Sequence, residues 1–366
     1  MRRMALWVWL IGLSWSLHGV AATRVDEGLA IMANPALGNC VTCHDIPALR
    51  THPDPKLRVS LQGQFGPSLQ GVGLRHDTQH LRQWVVDARV LHPDTLMPPY
   101  GTVRGLNAPA RAQALLTPTQ IDAVVSALAS FRTSGDSTMA AAPGPSPHST
   151  AQTLQSSADA NPVTLFIEQG QRTWDERCTA CHGLKSMVQA VTQFPKLDAR
   201  QRLINLEDQL VRCRQREPGD RAAALEDPIT LSLSAFLHKE AQSRPMFVSP
   251  PAGLPAAQVW QQHLQSGEQL YQTRMGQVNL SCRQCHDEHP GVAMRALTIT
   301  PAYTANFPIY RISWQGMGSI DRRLRACYSG VQAQVPPAGD LRLRELELYL
   351  KVRAQGRPIE GPSVKP

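Results

Sequence analysis

Three times along this chain, two cysteines stand two residues apart with a histidine directly after the second: Cys40/Cys43/His44, Cys178/Cys181/His182 and Cys282/Cys285/His286. Thiols at that spacing can each form a thioether to one edge of a porphyrin. The following histidine then lies under the ring as proximal iron ligand. Cys-x-x-Cys pairs also hold zinc or act as redox pairs, but a zinc ribbon needs no histidine immediately after the second cysteine. All three pairs here have one. The expectation is therefore three covalently bound haem c groups, a protein built around its cofactors.

The N-terminus reads as a secretory signal. Arg2 and Arg3 precede a short apolar core from Ala5 to Trp15, and Val20-Ala21-Ala22 offers small residues at the positions a signal peptidase reads. Residues 1–22 are expected to be removed, leaving Thr23 as the mature start. A membrane anchor would need about 20 uninterrupted apolar residues, and no such run exists here or later. Export suits haem attachment, which takes place outside the bacterial cytoplasm, so a soluble periplasmic protein is expected. The formal charge of +8 overstates the basicity. Loss of Arg2 and Arg3 leaves about +6, which six haem propionates would roughly cancel. No basic run with interleaved aromatics supports nucleic-acid binding.

From Ser134 to Asn161 the chain is rich in Ala, Pro, Ser, Thr and Gly, too poor in large apolar residues to pack, and reads as a flexible linker. It divides a mono-haem domain, 23–133, from a two-haem region with domains at 162–250 and 251–366. Each haem segment repeats one plan. An entry helix carries a glycine and a large side chain four residues on: Gly28/Met32, Gly170/Trp174, Gly267/Tyr271. Glycine is costly in a helix, so its recurrence points to close helix crossing. Each segment closes with an apolar-periodic helix. Thr117-Pro118-Thr119-Gln120 forms a capping box before Ile121, Val124, Val125 and Leu128. Asp227-Pro228 caps a helix with Ile229, Leu233, Phe236 and Leu237 inward, and Leu343, Leu346 and Leu350 mark the last one. The fold class expected is mainly α: three cytochrome c-type haem modules, one N-terminal and two in tandem, joined by the linker.

The distal ligands decide what the haems do. Met97, in Leu96-Met97-Pro98-Pro99-Tyr100-Gly101, is a thioether on a proline-stiffened loop, the usual distal ligand of electron-transfer cytochromes. Core filling by Met97 and ligation by His92 are the alternatives. Gly66-Pro67-Ser68-Leu69, with Gly71 and Gly73, is expected to bring backbone to the ring edge. The two-haem region has no comparable Met-Pro. It has two cysteines left over, Cys213 and Cys327, each between a haem motif and its closing helix. Exported spare cysteines by default form a disulfide. One per haem, in the distal slot, points instead to thiolate ligation. Arginines flank both: Arg212, Arg214 and Arg216, then Arg322, Arg323 and Arg325. Positive neighbours favour the thiolate.

On these residues the chain resembles the SoxXA sulfur-oxidation cytochromes, with two usually separate subunits fused. Residues 23–133 are similar to SoxX in Gly38-Asn39-Cys40-Val41-Thr42-Cys43-His44, Gly66-Pro67-Ser68-Leu69 and Met97-Pro98-Pro99-Tyr100-Gly101. Residues 162–366 resemble a two-haem SoxA, closest at Gly276-Gln277-Val278-Asn279-Leu280-Ser281-Cys282, Pro308-Ile309-Tyr310-Arg311, Arg322-Arg323-Leu324-Arg325-Ala326-Cys327 and Leu346-Glu347-Leu348-Tyr349-Leu350.

The resemblance implies an L-cysteine S-thiosulfotransferase that couples thiosulfate to a cysteine of a SoxYZ-type carrier protein, with two electrons passed to the haems and on to a soluble cytochrome c. It implies Cys327 as both distal ligand and catalytic cysteine, carried as a persulfide, and Arg323 as a substrate-binding residue. His44, Met97, His182, Cys213, His286 and Cys327 would be the iron ligands. The haem of His182 and Cys213 would be the one that some relatives lack. An Arg-Ala-Glu-like stretch is expected after the catalytic cysteine, but Val331-Gln332-Ala333-Gln334 stands there. A thiosulfate dehydrogenase forming tetrathionate and a non-catalytic multihaem electron-transfer protein are the competing readings.

Overall fold

The computed structural model describes residues 23–133, 147–157, 159–295 and 297–366. The expected signal, 1–22, and residues 134–146 of the expected linker lie outside the described residues. The chain forms two compact units. Among the described residues, one comprises 23–133 with Met275–Leu280 and those of 289–299; the other comprises those of 147–274, Ser281–Glu288 and Thr300–Pro366. Both are mainly helical, with short strands only.

Each repeat is built on one helix crossing, and glycine is the reason it can form. A helix over 23–33 crosses Pro118–Ser130, Val163–Arg177 crosses Pro228–Glu240, and Leu254–Gln272 crosses Leu341–Arg353. A Cβ on Gly28 would sit 2.2 Å from the Ala123 carbonyl oxygen. On Gly170 it would meet Ser232 O at 2.0 Å, and on Gly267 Glu345 O at 2.1 Å. No side chain fits at those separations, so the conformational cost of glycine in a helix is offset by backbone-to-backbone packing. Four residues on, Met32, Trp174 and Tyr271 are each buried. The capping predicted for the closing helices is present. Thr117 and Gln120 form the reciprocal box, and Asp227 accepts from the Ile229 and Thr230 amides at 2.9 Å.

In the first unit, the apolar cluster of Met32, Val41, Ile46, Leu49, Val124 and Leu128 also packs Cys40 and Met97. Two segments from late in the sequence belong to this unit; Gln64 donates its amide to Ala293 O at 2.8 Å.

The second unit departs from expectation in three ways. Most of the ranges expected as tandem domains, 162–250 and 251–366, falls in one compact unit, while Met275–Leu280 and His289–Ile299 belong to the other. The linker is shorter than expected, because Pro147–Ser156 is helical. Ala151 is buried there in a cluster with Val163, Leu231 and Val364, and Gln155 accepts the Val364 amide at 2.5 Å. Small residues suffice where the neighbouring surface is already apolar. Finally, helix Leu341–Arg353 is buried on all sides. Leu343, Leu346 and Leu350 point inward as predicted, but Arg344, Glu345, Glu347, Leu348 and Lys351 are buried as well. A small sheet runs Gly316–Gly318, Ile309–Arg311, Ser363–Lys365, with the last pair parallel.

Candidate functional site

Each Cys-x-x-Cys-His motif folds as one helical turn. The His44 amide donates to Cys40 O at 2.8 Å and His182 to Cys178 O at 2.9 Å, and Cys282–His286 is a short helix capped by Ser281. A single turn sets thiols three residues apart on one side, the arrangement two thioethers to one porphyrin edge require.

The proximal histidines are oriented by backbone. His44 Nδ1 meets Pro67 O at 2.7 Å and His286 Nδ1 meets Thr300 O at 2.5 Å. In each case Nδ1 carries the proton and Nε2 is left as a ligand. Gly66 lies so close that a Cβ would come within 2.5 Å of the His44 ring. The Gly66-Pro67 loop thus grips the His44 imidazole. These contacts, together with thiols held in apolar surroundings, fit a haem. Burial pushes Cys40 and Cys282 up to about 12 and Cys285 up to about 11. Thioethers carry no proton, so that cost is absent once the porphyrin is attached. The Cys178/Cys181/His182 motif is more open: Cys181 and His182 are exposed.

In the first unit, Met97 packs against the cluster that also packs Cys40. His92 is exposed, with its ring stacked on Trp84 at 5.2 Å.

All eight cysteines of the chain are free, so Cys213 and Cys327 of the second unit are not joined. Helix Leu206–Arg214 carries Cys213, close enough to Cys178 that its charge helps raise that thiol. Gln209, one turn earlier, donates Nε2 to Cys213 Sγ at 3.3 Å. Two of the flanking arginines serve aspartates instead of the sulfur. Arg212 pairs with Asp198 at 2.8 Å, and buried Arg214 binds Asp220 and Asp227 at 2.7–2.8 Å. Nothing in the sequence pattern had marked those aspartates as partners.

Helix Ile320–Gly330 carries Cys327 in its last turn, with Arg323 one turn before on the same face. The charge of Cys327 contributes to the rise of both Cys282 and Cys285, and that of Arg323 reaches His286. The fold therefore gathers Cys282, Cys285, His286, Arg323 and Cys327 in one place. The other two arginines are turned elsewhere. Arg322 donates to Met317 O at 3.0 Å and lies 4.5 Å over the Trp314 ring, while Arg325 donates to Pro336 O at 3.1 Å. Gln332, where the family pattern suggested arginine, sits at φ 54° in the turn that ends the Cys327 helix. Arg311 supplies nearby positive charge instead: burial first, then the charge of Arg323, lowers its pKa, and Cys327 opposes this. The sequence had offered Arg311 only as part of a motif.

Asp287, directly after the proximal His286, is clamped from both crossing helices. Tyr271 donates to it at 2.7 Å, and Arg353 grips it at 2.6 and 2.9 Å. Its carboxyl is lowered below the usual range by these donors, against desolvation by burial.

A family model described as the SoxA/TsdA cytochrome c domain matches residues 168–248. The L-cysteine S-thiosulfotransferase subunit SoxA of Pseudaminobacter salicylatoxidans is 31% identical over 227 residues, 59% of this chain and 78% of that protein. The chain belongs to the SoxA family of L-cysteine S-thiosulfotransferase subunits. The SoxA of Paracoccus pantotrophus is 30% identical over 215 residues, 56% of this chain and 72% of its own length. The crystal structure of SoxXA from P. pantotrophus is similar in fold, with a TM-score of 0.54 and 26% identity, over 59% of this chain and 83% of that one. As a SoxA-type protein, the chain is a c-type cytochrome with covalently bound haem and a sulfur-transferring enzyme of sulfur oxidation. Among the described residues, no helix is long and apolar enough to cross a membrane.

Proposed function

We propose that this chain is a SoxX–SoxA fusion with three haems, acting in the periplasm to couple thiosulfate to a cysteine of a SoxYZ-type carrier. The observation that carries the reading is the placement of Cys327 and Arg323 on one helix face beside the Cys282/Cys285/His286 motif. In the coupling, a sulfur–sulfur bond forms between the outer sulfur of thiosulfate and the carrier cysteine. The thiol loses its proton, and two electrons leave. When bound, the haems supply one-electron acceptors and pass the electrons to a soluble cytochrome c. Cys327 would supply a nucleophilic sulfur and, with His286, would hold the iron of this motif's haem. Arg323 makes no side-chain hydrogen bond among the described residues, which leaves its planar fork for the oxygens of the dianion. Arg311 adds positive charge where the family pattern's arginine is replaced by Gln332. His44 and Met97 hold the haem of the N-terminal unit, His182 and Cys213 that of the middle motif.

Product analysis tests the reaction. With thiosulfate, carrier and oxidised cytochrome c, the carrier should gain the mass of one thiosulfate less two electrons and a proton. Accumulation of tetrathionate with no carrier present would replace this reading with a thiosulfate dehydrogenase. Reduction of cytochrome c with neither product would leave only an electron-transfer protein.

The N-terminal haem has its own test. Met97→Ala should remove the weak methionine-to-iron absorption near the red edge of the visible and lower that haem's potential, leaving the others unchanged. Survival of the band would move the ligand assignment to another residue, His92 first.

A further inference from the structure

The second unit buries more acid than base. Buried Glu207, Asp321 and Glu347 gather there with half-buried Asp208 and Glu226, and the cations facing them are Arg344 and Lys351. They come from every element packed on the region. Glu207 and Asp208 lie on helix Leu206–Arg214, and Asp321 on Ile320–Gly330. Arg344, Glu347 and Lys351 lie on Leu341–Arg353, His238 on Pro228–Glu240, and Glu226 just before that helix. Glu345, on the outer side of Leu341–Arg353, pairs with His263 instead. A low-dielectric interior does not hold such an excess of ionised carboxylates, so at least one keeps a proton at neutral pH. One oxygen fits this state: Glu226 Oε2 is buried without a hydrogen-bond partner.

At the centre is a cavity with about 20 Å³ of room for water centres, enough for one water molecule. Glu207, His238, Glu347 and Lys351 line it. Glu347 accepts from Asn205 at 2.9 Å and lies 4.0 Å from Arg344, Glu207 accepts from Ser234 at 2.7 Å, and Lys351 Nζ, whose charge reaches both carboxylates, lies 3.9 Å from Met246 Sδ. The apolar part of the wall includes Val191, Phe194 and Leu206, which belong to the cluster that packs Cys178.

We propose that Glu347 is a redox-linked proton site: it binds a proton as an electron enters the two-haem region and releases it as the electron leaves. The electron goes to iron and the proton to the carboxylate, so the added negative charge is compensated inside the unit. The electron comes from thiosulfate coupling, which also frees a proton. Burial is the main cause that lifts Glu347 to about 8, while Glu226 is lifted to about 7 and His238 falls to about 3. A carboxyl that titrates near neutrality can change occupancy with small changes in local potential, whereas His238 stays neutral. The proposal rests on haem occupancy of the two-haem region, which a haemochrome spectrum establishes independently.

The experiment is spectroelectrochemical titration of the full holoprotein between pH 6 and 9. One cysteine-side haem should show a midpoint falling with pH by up to about 59 mV per unit, one proton per electron, while the haem of the N-terminal unit does not. Glu347→Gln should flatten that slope and Glu226→Gln should keep it. Infrared difference spectra of the wild-type protein, reduced minus oxidised, should show a gain of protonated-carboxyl stretch. These spectra decide the matter if the variant fails to fold. A pH-independent midpoint, a slope that survives Glu347→Gln, a slope lost in Glu226→Gln, or no carboxyl band would each overturn the assignment.

Discussion

Cys327→Met is expected to abolish thiosulfate coupling while its haem stays attached. Methionine keeps a sulfur that can ligate iron, and the thioethers to Cys282 and Cys285 are untouched. A thioether sulfur, however, has no proton to lose, cannot carry a persulfide and is a poor nucleophile next to a thiolate. The fall in kcat/KM should be on the order of 10³-fold or more. Arg323→Lys separates binding from chemistry. It keeps the charge but loses the bidentate fork, so catalytic efficiency should drop by roughly 10- to 150-fold, equivalent to about 1.5–3 kcal/mol for a charge-assisted hydrogen bond. Steady-state assay with carrier and cytochrome c measures both, and the mass of the purified protein counts haems and any extra sulfur on Cys327. Near-normal turnover of Cys327→Met would sink the catalytic-cysteine reading.

The second large effect is on stability. Arg344 is 1% exposed and joins three helices. From Leu341–Arg353 it reaches Asp208, on the helix of Cys213, at 2.6 and 3.0 Å. It also reaches Asp321, on the helix of Cys327, at 2.8 Å. Removing one partner of such a buried pair leaves uncompensated charge, which costs about 3–5 kcal/mol. Arg344→Met should therefore lower the melting temperature of the holoprotein by roughly 6–20 °C, at about 2–4 °C per kcal/mol for a unit of this size. Adding Asp321→Asn should recover part of the loss, because the orphaned carboxylate is then neutral. A change below about 1 kcal/mol would show that the three-way ion pair contributes little. The helices of Cys213 and Cys327 both hang on this guanidinium, so, if these cysteines ligate haem as proposed, the haem spectra of the second unit should broaden in the same variant.

The sequence alone determined the local chemistry. Cys-x-x-Cys-His needs only one helical turn to present two thiols and an imidazole, so the local geometry of these motifs was legible without the fold. Gly28, Gly170 and Gly267 were likewise legible, since a glycine that local preference disfavours signals something pressing on the backbone. Thr117 and Asp227 marked helix starts because capping is a matter of adjacent residues. What depended on distant partners was invisible. Arg212 and Arg214 looked like activators of Cys213 until Asp198, Asp220 and Asp227 arrived from other segments to bind them. Pro67 and Thr300 gave no sign of holding the proximal histidines, because any residue's carbonyl could serve. The last helix showed its leucine period, but nothing in the pattern marked Arg344, Glu347 and Lys351 as buried. Only tertiary packing, which surrounds that helix on all sides, turned those charges inward and made the acid-rich interior of the second unit.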